Sequence, residues 1–157
     1  MDSKPKKKLY KRWWFWVLVI IALWIIAGQF FKLIYITGAS MEPTLQDHNV
    51  VVASKLFFIN RGDIVQAEYH DQNNYYTGIK RVIGLPNDKI EIKDGRVLVN
   101  GQTVNEPYTQ GATAPNRSWT LSDNQYFVMG DNRLNSLDSR IFGAISRSDI
   151  LYKVLFK

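Results

Sequence analysis

The chain has 157 residues and a net charge of +6, and it contains no cysteine. This length suits one soluble domain with an anchoring segment, and the lack of cysteine excludes disulfides and a cysteine nucleophile. Six of the 20 lysines and arginines lie within residues 1–12, and the remainder carries 14 basic against 13 acidic side chains. The basicity is therefore local, which disfavours a phosphate-gripping domain and predicts no nucleic-acid partner.

The polar, lysine-rich residues 1–12 are followed by nineteen uncharged residues, 13–31. A helix of that length spans roughly 28 Å, close to the hydrocarbon thickness of a bilayer. A cleaved secretory signal is the alternative, but its apolar core is shorter and ends in small residues. We predict a retained single-pass anchor over 13–31. Because basic residues favour the cytoplasmic side, 1–12 is a cytoplasmic tail and 32–157 an extracytoplasmic domain.

Beyond residue 32 the sequence predicts a mainly β, compact antiparallel domain. Its most distinct signal is 89–104, where isoleucines alternate with charged residues and Asp94-Gly95 and Asn100-Gly101 separate the runs. Both dipeptides favour positive φ angles, so a three-stranded meander is predicted. The other predicted elements are strands at 50–58, 63–69, 75–85, 125–129 and 150–156, and a loop at 105–124. No helical periodicity is found beyond residue 36.

A serine, Ser40, lies in a small-residue run just after the apolar segment. We interpret it as a candidate nucleophile held near a membrane. A serine hydroxyl needs a base to remove its proton. The two histidines, His48 and His70, lie in polar turns typical of the surface, and no HExxH-type pair indicates a metal hydrolase. We therefore predict no metal and no cofactor.

Lysine is the remaining candidate base, provided that burial lowers its pKa from about 10.4 to roughly 7–8. Lys89 and Lys93 alternate with isoleucines and are predicted to face solvent. Lys55, Lys80 and Lys153 remain, and strand alternation does not choose among them. Lys80 lies in an apolar strand whose small neighbours are expected to leave room for a substrate.

Two other stretches carry predictions. Residues 129–143 are rich in hydrogen-bonding groups, and Asp131 and Asp138 lie beside arginines in the sequence. We predict ion-paired structural carboxylates there, not an acid/base pair. The apolar run 56–59 leaves two interpretations open, an exposed patch that enters the bilayer or a part of the core.

Several blocks of this chain, in order, resemble the type I signal peptidases of peptidase family S26, of the short, single-anchor bacterial kind. The blocks follow the basic tail and the anchor at 40–45 (SMEPTL), 61–65 (RGDIV), 80–88 (KRVIGLPND) and 130–140 (GDNRLNSLDSR). Each block alone is weakly specific, but together they cover nearly the whole chain. Mitochondrial inner-membrane processing peptidases share similar motifs and stay open as an alternative.

The resemblance implies a membrane-bound serine endopeptidase that removes N-terminal signal peptides from secreted preproteins. It implies that Ser40 is the nucleophile and Lys80 the general base, which resolves the choice among the three lysines. It further implies that the hydroxyl of Ser136 helps to orient the lysine amine.

The resemblance also implies a set of residues that hold the site together by ion pairs. These are Arg81, Asp131, Asp138 and Arg140, with Arg81 paired to Asp131. The chain departs from the family at two positions. Gly38 replaces a hydroxyl that some members add to the oxyanion hole, so that second donor is absent or comes from the backbone. Asn87 replaces a glycine and is expected to tolerate the left-handed backbone.

Overall fold

The computed structural model describes residues 13–55, 57–70 and 74–156. The predicted basic tail, 1–12, lies outside the described residues, as does Leu56. Helix α1, Trp13–Phe30, has no buried side chain. Within the described residues it is the one helix that is long and apolar enough, by length and composition, to cross a membrane.

The helix joins the β domain without a linker, because strand β1, Phe31–Tyr35, begins at the next residue. The N–H of Lys55 donates to the carbonyl of Phe30 at 2.9 Å, and Phe31 lies opposite Ser54 in the ladder. The last helical residue is therefore already bonded to the sheet. The predicted apolar segment 13–31 extends one residue into β1.

The strands of the described residues, including β1, form two antiparallel sheets, which confirms the predicted mainly β architecture. In spatial order, the seven-stranded sheet contains β1, β2 (Val50–Ser54), β11 (Ile150–Phe156), β3 (Ile64–His70), β4 (Tyr75–Gly84), β9 (Gln125–Met129) and β10 (Ile145–Ser146). The four-stranded sheet contains β7 (Gln102–Thr103), β6 (Arg96–Val99), β5 (Lys89–Lys93) and β8 (Arg117–Thr120).

The predicted meander is confirmed as β5, β6 and β7. Its turns have the expected positive φ angles, 50° and 75° at Asp94-Gly95 and 51° and 80° at Asn100-Gly101. Lys89 and Lys93 are exposed, as the alternation with isoleucines predicted. Asn87 also has a positive φ of 67°, the left-handed conformation expected where the family has glycine.

Three local predictions differ from the structure. The strand predicted over 50–58 ends at Ser54. The loop predicted over 105–124 contains β8, whose one apolar side chain, Trp119, packs on Phe127 with ring centroids 4.7 Å apart. A helix, α2, covers Ser139–Phe142. One apolar residue in a polar strand and a single helical turn are both too short to produce a periodic pattern.

The core has three apolar clusters, and one of them supports the candidate nucleophile. Met41 and Leu45, just after Ser40, are each 1% exposed in this cluster. The open question about 56–59 has a mixed answer, because Phe57 and Ile59 pack against a core cluster whereas Phe58 is 91% exposed.

Candidate active site

The structure brings Ser40 and Lys80 together. The Nζ atom of Lys80 lies 3.0 Å from Oγ of Ser40, although the two residues are 40 positions apart in the chain. Lys80 projects from β4 and is 3% exposed, whereas Ser40 is half-buried in the loop after β1. Burial lowers the pKa of the Lys80 amine from 10.5 to about 8; the negative charge of Asp138 opposes this shift, and the positive charge of Arg140 adds to it.

The two other candidate lysines have different surroundings. Lys153 Nζ forms an ion pair with Asp63 at 2.8 Å. Lys55 is exposed, with its amine 5.4 Å from the centroid of the Tyr152 ring. Among the described lysines, Lys80 alone is buried. Of the three lysines that the pattern left open, it is the one placed to lose its proton near neutral pH.

Neither histidine takes part in this arrangement. The His48 side chain is 74% exposed, and its ring contacts the Tyr35 hydroxyl and the Asp47 carboxylate. His70 is exposed, with its ring centroid 5.5 Å from that of Tyr75. Within the described part of the chain, neither ring hydrogen-bonds to Ser40 or Lys80, in keeping with the surface positions predicted for both.

The predicted ion pair between Arg81 and Asp131 is present beneath the nucleophile loop. Arg81 donates from Nε to one carboxylate oxygen at 2.8 Å and from Nη2 to the other at 2.6 Å. The Asp131 side chain is 1% exposed, and the Thr44 hydroxyl also donates to it at 2.5 Å. The Tyr108 ring covers the guanidinium, whose Cζ atom lies 3.9 Å from the centroid of the ring. A bidentate pair of this kind fixes both strand β4 and the loop that contains Ser40.

The second predicted carboxylate, Asp138, pairs with Arg140. Nε and Nη2 of Arg140 each lie 2.8 Å from a different oxygen of Asp138. Asp138 is fully buried, caps α2 and accepts a bond from the N–H of Gly130 at 3.0 Å. Arg133, which the sequence places beside Asp131, pairs instead with Glu106 at 2.6 Å. Both aspartates are therefore ion-paired, as predicted.

Sequence reasoning missed the role of Asn132 in holding the loop. Its backbone N–H donates to the carbonyl of Ser40 at 3.1 Å, and its side-chain amide donates to the carbonyl of Ala39 at 3.1 Å. Two bonds from one residue thus fix the backbone on which the nucleophile sits. The only signal in the sequence was the density of hydrogen-bonding groups after β9.

Ser136 lies beside this loop, but within the described residues its hydroxyl does not hydrogen-bond to the lysine amine. A Cβ added at Gly130 would overlap both the Ser136 hydroxyl and the Ser40 carbonyl, which shows how closely the three residues pack. The Ser136 Oγ is buried and makes no hydrogen bond within the described residues. The predicted orienting bond to Lys80 is absent from this conformation.

Tyr69 is a further residue that sequence reasoning missed. Its ring centroid lies 5.9 Å from Lys80 Nζ, and burial raises the pKa of its hydroxyl. A Cβ on Gly78 would lie 2.5 Å from the Tyr69 hydroxyl oxygen and 3.5 Å from Lys80 Nζ. Gly78 thus leaves room for the tyrosine hydroxyl, and it also lines the cleft beside Lys80.

The backbone N–H of Ser40 is free to donate. Within the described residues, the N–H of Ser40 donates to no protein acceptor. The N–H of Gly38 is already bonded to the Asp47 carboxylate at 2.9 Å, and Gly38 has a φ of +88°. The Ser40 amide is therefore the available oxyanion donor, and Gly38 shapes the loop that presents it.

Ser40 and Lys80 open onto a cleft of about 520 Å³. Residues 34–41 line one side and residues 77–80 the other, with Gln66, Tyr69, Asn135 and Leu137 completing the wall. Strand β4 supplies one long side and the end of β1 with the nucleophile loop the other, so the cleft is an open groove long enough for a peptide segment. A serine hydroxyl, a buried lysine amine with a lowered pKa and an amide donor are the groups that a serine hydrolase with a lysine base requires.

Comparison with known proteins gives the family. The family model for signal peptidase, peptidase S26, matches residues 10–157. Signal peptidase I of Bacillus caldolyticus is 34% identical, with 99% of this chain and 93% of the relative covered. Signal peptidase IB of Staphylococcus aureus is 33% identical over 96% of this chain and 90% of the relative.

A solved structure agrees with these relatives. The crystal structure of a signal peptidase I from Enterococcus faecalis superposes with a TM-score of 0.54 at 27% identity, covering 63% of this chain and 97% of that one. The chain therefore belongs to the signal peptidase, peptidase S26 family. It is a serine peptidase that cleaves signal peptides from preproteins.

Proposed function

We propose that this signal peptidase cuts preproteins with Ser40 as nucleophile and Lys80 as general base. The observation that carries the proposal is the 3.0 Å separation of Lys80 Nζ and Ser40 Oγ in a buried setting. A lysine amine with a pKa of about 8 is partly neutral at physiological pH, and only its neutral form can accept a proton.

The reaction has two halves. In the first, neutral Lys80 takes the proton of Ser40 as Oγ attacks the carbonyl carbon, and the Ser40 N–H donates to the developing oxyanion. The C–N bond then breaks, and the leaving amine receives the proton from Lys80. In the second half, Lys80 takes a proton from water as the oxygen of that water attacks the ester carbon. The bond between that carbon and Ser40 Oγ then breaks, the signal peptide leaves as a carboxylic acid, and Lys80 returns the proton to Ser40.

Ion pairs keep these groups in place during both halves. Arg81 with Asp131 ties β4 to the segment after β9, and the Thr44 hydroxyl, which bonds to both, joins the nucleophile loop to them. Asp138, paired with Arg140, joins α2 to the same segment through the N–H of Gly130. None of the four ion-paired side chains hydrogen-bonds to Ser40 Oγ or Lys80 Nζ within the described residues. Their proposed role is positional, which fits the sensitivity of acyl transfer to small displacements.

The substrate lies in the cleft as an extended segment, with its cleavage site upstream of the mature protein. Side chains of an extended strand alternate, so the first and third residues before the cut face the same wall. The resemblance to the family implies small residues such as alanine at both positions. Met41 and Ile79, which line this wall, present an apolar surface to them.

We further propose that the protein is anchored in a bacterial cell membrane by a single pass. Residues 13–31 form the anchor, the tail 1–12 stays in the cytoplasm, and 32–157 form the extracytoplasmic peptidase domain. The length and composition of α1 and the cluster of basic residues before it support this topology. Phe58, which is 91% exposed, is the proposed lipid contact of the 56–59 run.

A preprotein cleavage assay with Ser40→Ala tests the proposal directly. The parent chain should release the mature protein, whereas Ser40→Ala should release none while its far-UV circular dichroism stays that of the parent. Cleavage by a folded Ser40→Ala variant at the parent rate would refute the assignment of the nucleophile.

A further inference from the structure

Two lysines approach one tyrosine ring at the point where the helix meets the sheet. The amine of Lys32 lies 5.1 Å from the centroid of the Tyr152 ring, and the amine of Lys55 lies 5.4 Å from it. Lys32 is the second residue of β1, and the N–H of Lys55 donates to the carbonyl of Phe30, the last residue of α1. The lysine pair, Lys32 and Lys55, therefore lies at the outer end of the apolar helix.

The register of the sheet explains why the lysine pair and the ring meet. Lys32 lies opposite Ala53 of β2, and Ala53 lies opposite Val154 of β11. Opposed residues project to the same face, and Val154 and Tyr152, two positions apart on one strand, share that face. Lys55 is the first residue after β2. The arrangement is thus set by the ladder of the sheet.

The two ammonium groups have no counter-ion. Both lysines are exposed, and neither forms an ion pair within the described residues. The ring attracts cations and so favours the amines beside it. Two like charges near one ring repel each other, and an anion that contacts both removes this repulsion. The lysine pair therefore forms a site for a shared anion.

The height of the lysine pair indicates which anion it meets. In the proposed topology the hydrocarbon region ends near Phe31, so the residues that follow lie among the lipid headgroups. Phe58, the proposed lipid contact, comes three positions after Lys55. Lysines at this depth attract anionic lipids, and tyrosine is enriched there. The anion that a bilayer offers at this height is the phosphate of a phospholipid.

Tyr152 connects the lysine pair to the core below the nucleophile. Its half-buried ring packs against the apolar cluster that contains Met41 and Leu45. These two residues follow Ser40 and fix its loop in the core. A headgroup that lies on the lysine pair is thus joined to the active site through packed side chains.

We propose that Lys32 and Lys55, beside the ring of Tyr152, bind the phosphate of an anionic phospholipid in the outer leaflet. The inference goes beyond the peptidase reaction, but it rests on the proposed topology, which puts α1 in the bilayer and the lysine pair at its outer surface. Interfacial lysine and tyrosine side chains help to set the tilt of a membrane helix, so the bound lipid also helps to orient the domain.

Residue-by-residue labelling of amines tests the site. The full chain is reconstituted in vesicles of phosphatidylcholine with or without phosphatidylglycerol and treated with an uncharged amine reagent, and peptide mass spectrometry gives the rate at each lysine. Phosphatidylglycerol should slow the labelling of Lys32 and Lys55 by about five- to ten-fold, because the phosphate contacts both amines. Lys89 and Lys93, exposed on the small sheet, are the controls and should change by less than about two-fold. Equal slowing at all four lysines would overturn the site.

A second arm separates the lipid from a soluble anion. Inorganic phosphate is added to the vesicles of phosphatidylcholine alone, and labelling is repeated. The lysine pair should be labelled as fast as without phosphate. Protection as large as that given by phosphatidylglycerol would assign the lysine pair to a soluble anion and overturn the lipid site.

Matched variants measure the contribution of the charges. Native mass spectrometry in detergent micelles gives the affinity for phosphatidylglycerol, and the tail 1–12 is present in every variant. Lys32→Gln with Lys55→Gln should weaken the tightest site by about ten- to thirty-fold, whereas Lys32→Arg with Lys55→Arg should retain it. Lys89→Gln with Lys93→Gln removes the same charge and should bind like the parent. Parent affinity in Lys32→Gln with Lys55→Gln would overturn the site.

Two further measurements distinguish a failure of the inference from a failure of the proposals on which it stands. Cleavage of a preprotein by the parent is followed in detergent; its absence would contradict the proposed function and leave the lipid measurements valid, since binding needs no catalysis. In spheroplasts, an impermeant amine reagent should reach the lysine pair but not the tail lysines. The reverse pattern would contradict the proposed topology, and the inference with it.

Discussion

Two lysines of the seven-stranded sheet lie in one row and have opposite surroundings. Lys80 of β4 and Lys153 of β11 both lie directly opposite Val65 of β3, so all three side chains project to the same face. Lys153 is bonded to the Asp63 carboxylate at 2.8 Å and to the carbonyl of Phe58 at 3.3 Å. Two oxygen acceptors therefore contact the amine of Lys153.

Lys80 has none of these partners. Within the described residues it forms no ion pair, and its amine donates to the hydroxyl of Ser40. A carboxylate in contact favours the charged amine, whereas at Lys80 desolvation outweighs the more distant charge of Asp138. The comparison supports the proposal that the environment, more than the residue type or its position in the sheet, suits Lys80 to act as a base.

The largest expected effect is that of replacing Lys80, and the matched control is the same replacement at Lys153. Lys80→Met should lower kcat/KM for a preprotein by about a thousand-fold or more, because the Ser40 hydroxyl loses its base. Lys153→Met removes only a partly exposed ion pair and should stay within about two-fold of the parent. A variant of Lys80 that retains substantial activity would refute the assignment of the base.

The pH dependence of cleavage should reveal the lowered pKa of Lys80. Only the neutral amine is active, so kcat/KM should rise about ten-fold per pH unit up to about pH 8 and then level off. The profile is measured with a preprotein that has no titrating group near the cut. A rise that continues to the ordinary lysine pKa, about 10.4, would show that burial does not shift the amine.

Crowding the surroundings of Lys80 should have an intermediate effect. In Gly78→Ala the new methyl group meets the Tyr69 hydroxyl, which must move away from the lysine. Activity should fall by about ten- to a hundred-fold, as expected for a displacement of order 1 Å. The matched control is Tyr69→Phe, which lacks the colliding oxygen.

Combining the two changes tests the collision itself. Tyr69→Phe alone should stay near the parent rate, and Gly78→Ala with Tyr69→Phe should recover most of the lost activity. Equal losses in Gly78→Ala with and without the tyrosine hydroxyl would show that another neighbour is responsible.

The smallest expected effect is that of Ser136→Ala. The hydroxyl is buried without a partner, so its contribution to catalysis depends on a rotation towards the amine during the reaction. We expect kcat to fall by about three- to ten-fold with KM unchanged, the loss of one hydrogen bond made in the transition state. Steady-state kinetics that match the parent would make Ser136 a bystander.

Local chemistry explains which parts of the fold could be predicted. The meander at 89–104 is encoded by alternation and by two dipeptides that favour positive φ, and all of that information lies within a few residues. Strand β8 escaped prediction because its place depends on pairing with β5, which lies 24 residues or more away in the chain. Its own sequence, RSWT, resembles a loop.

The candidate site also contains residues that the sequence identifies and contacts that only the folded structure reveals. Ser40 was identifiable from its setting, but the residue pattern left three lysines open, and only the family resemblance chose Lys80. The contacts of Asn132 with the nucleophile loop, and of Tyr69 with Gly78, join segments that are distant in the chain. No periodicity or spacing encodes such contacts, since they follow from the packing of the finished sheet.

The junction between helix and sheet has one more consequence. The chain changes from α1 to β1 between Phe30 and Phe31, and main-chain bonds hold both sides of that point. Ser40 follows only nine residues later. A flexible tether would let the domain tumble and present its cleft at any height. In the proposed topology this rigid junction instead holds Ser40 at a constant height above the membrane. The protein therefore determines how far from the lipid surface a preprotein is cut.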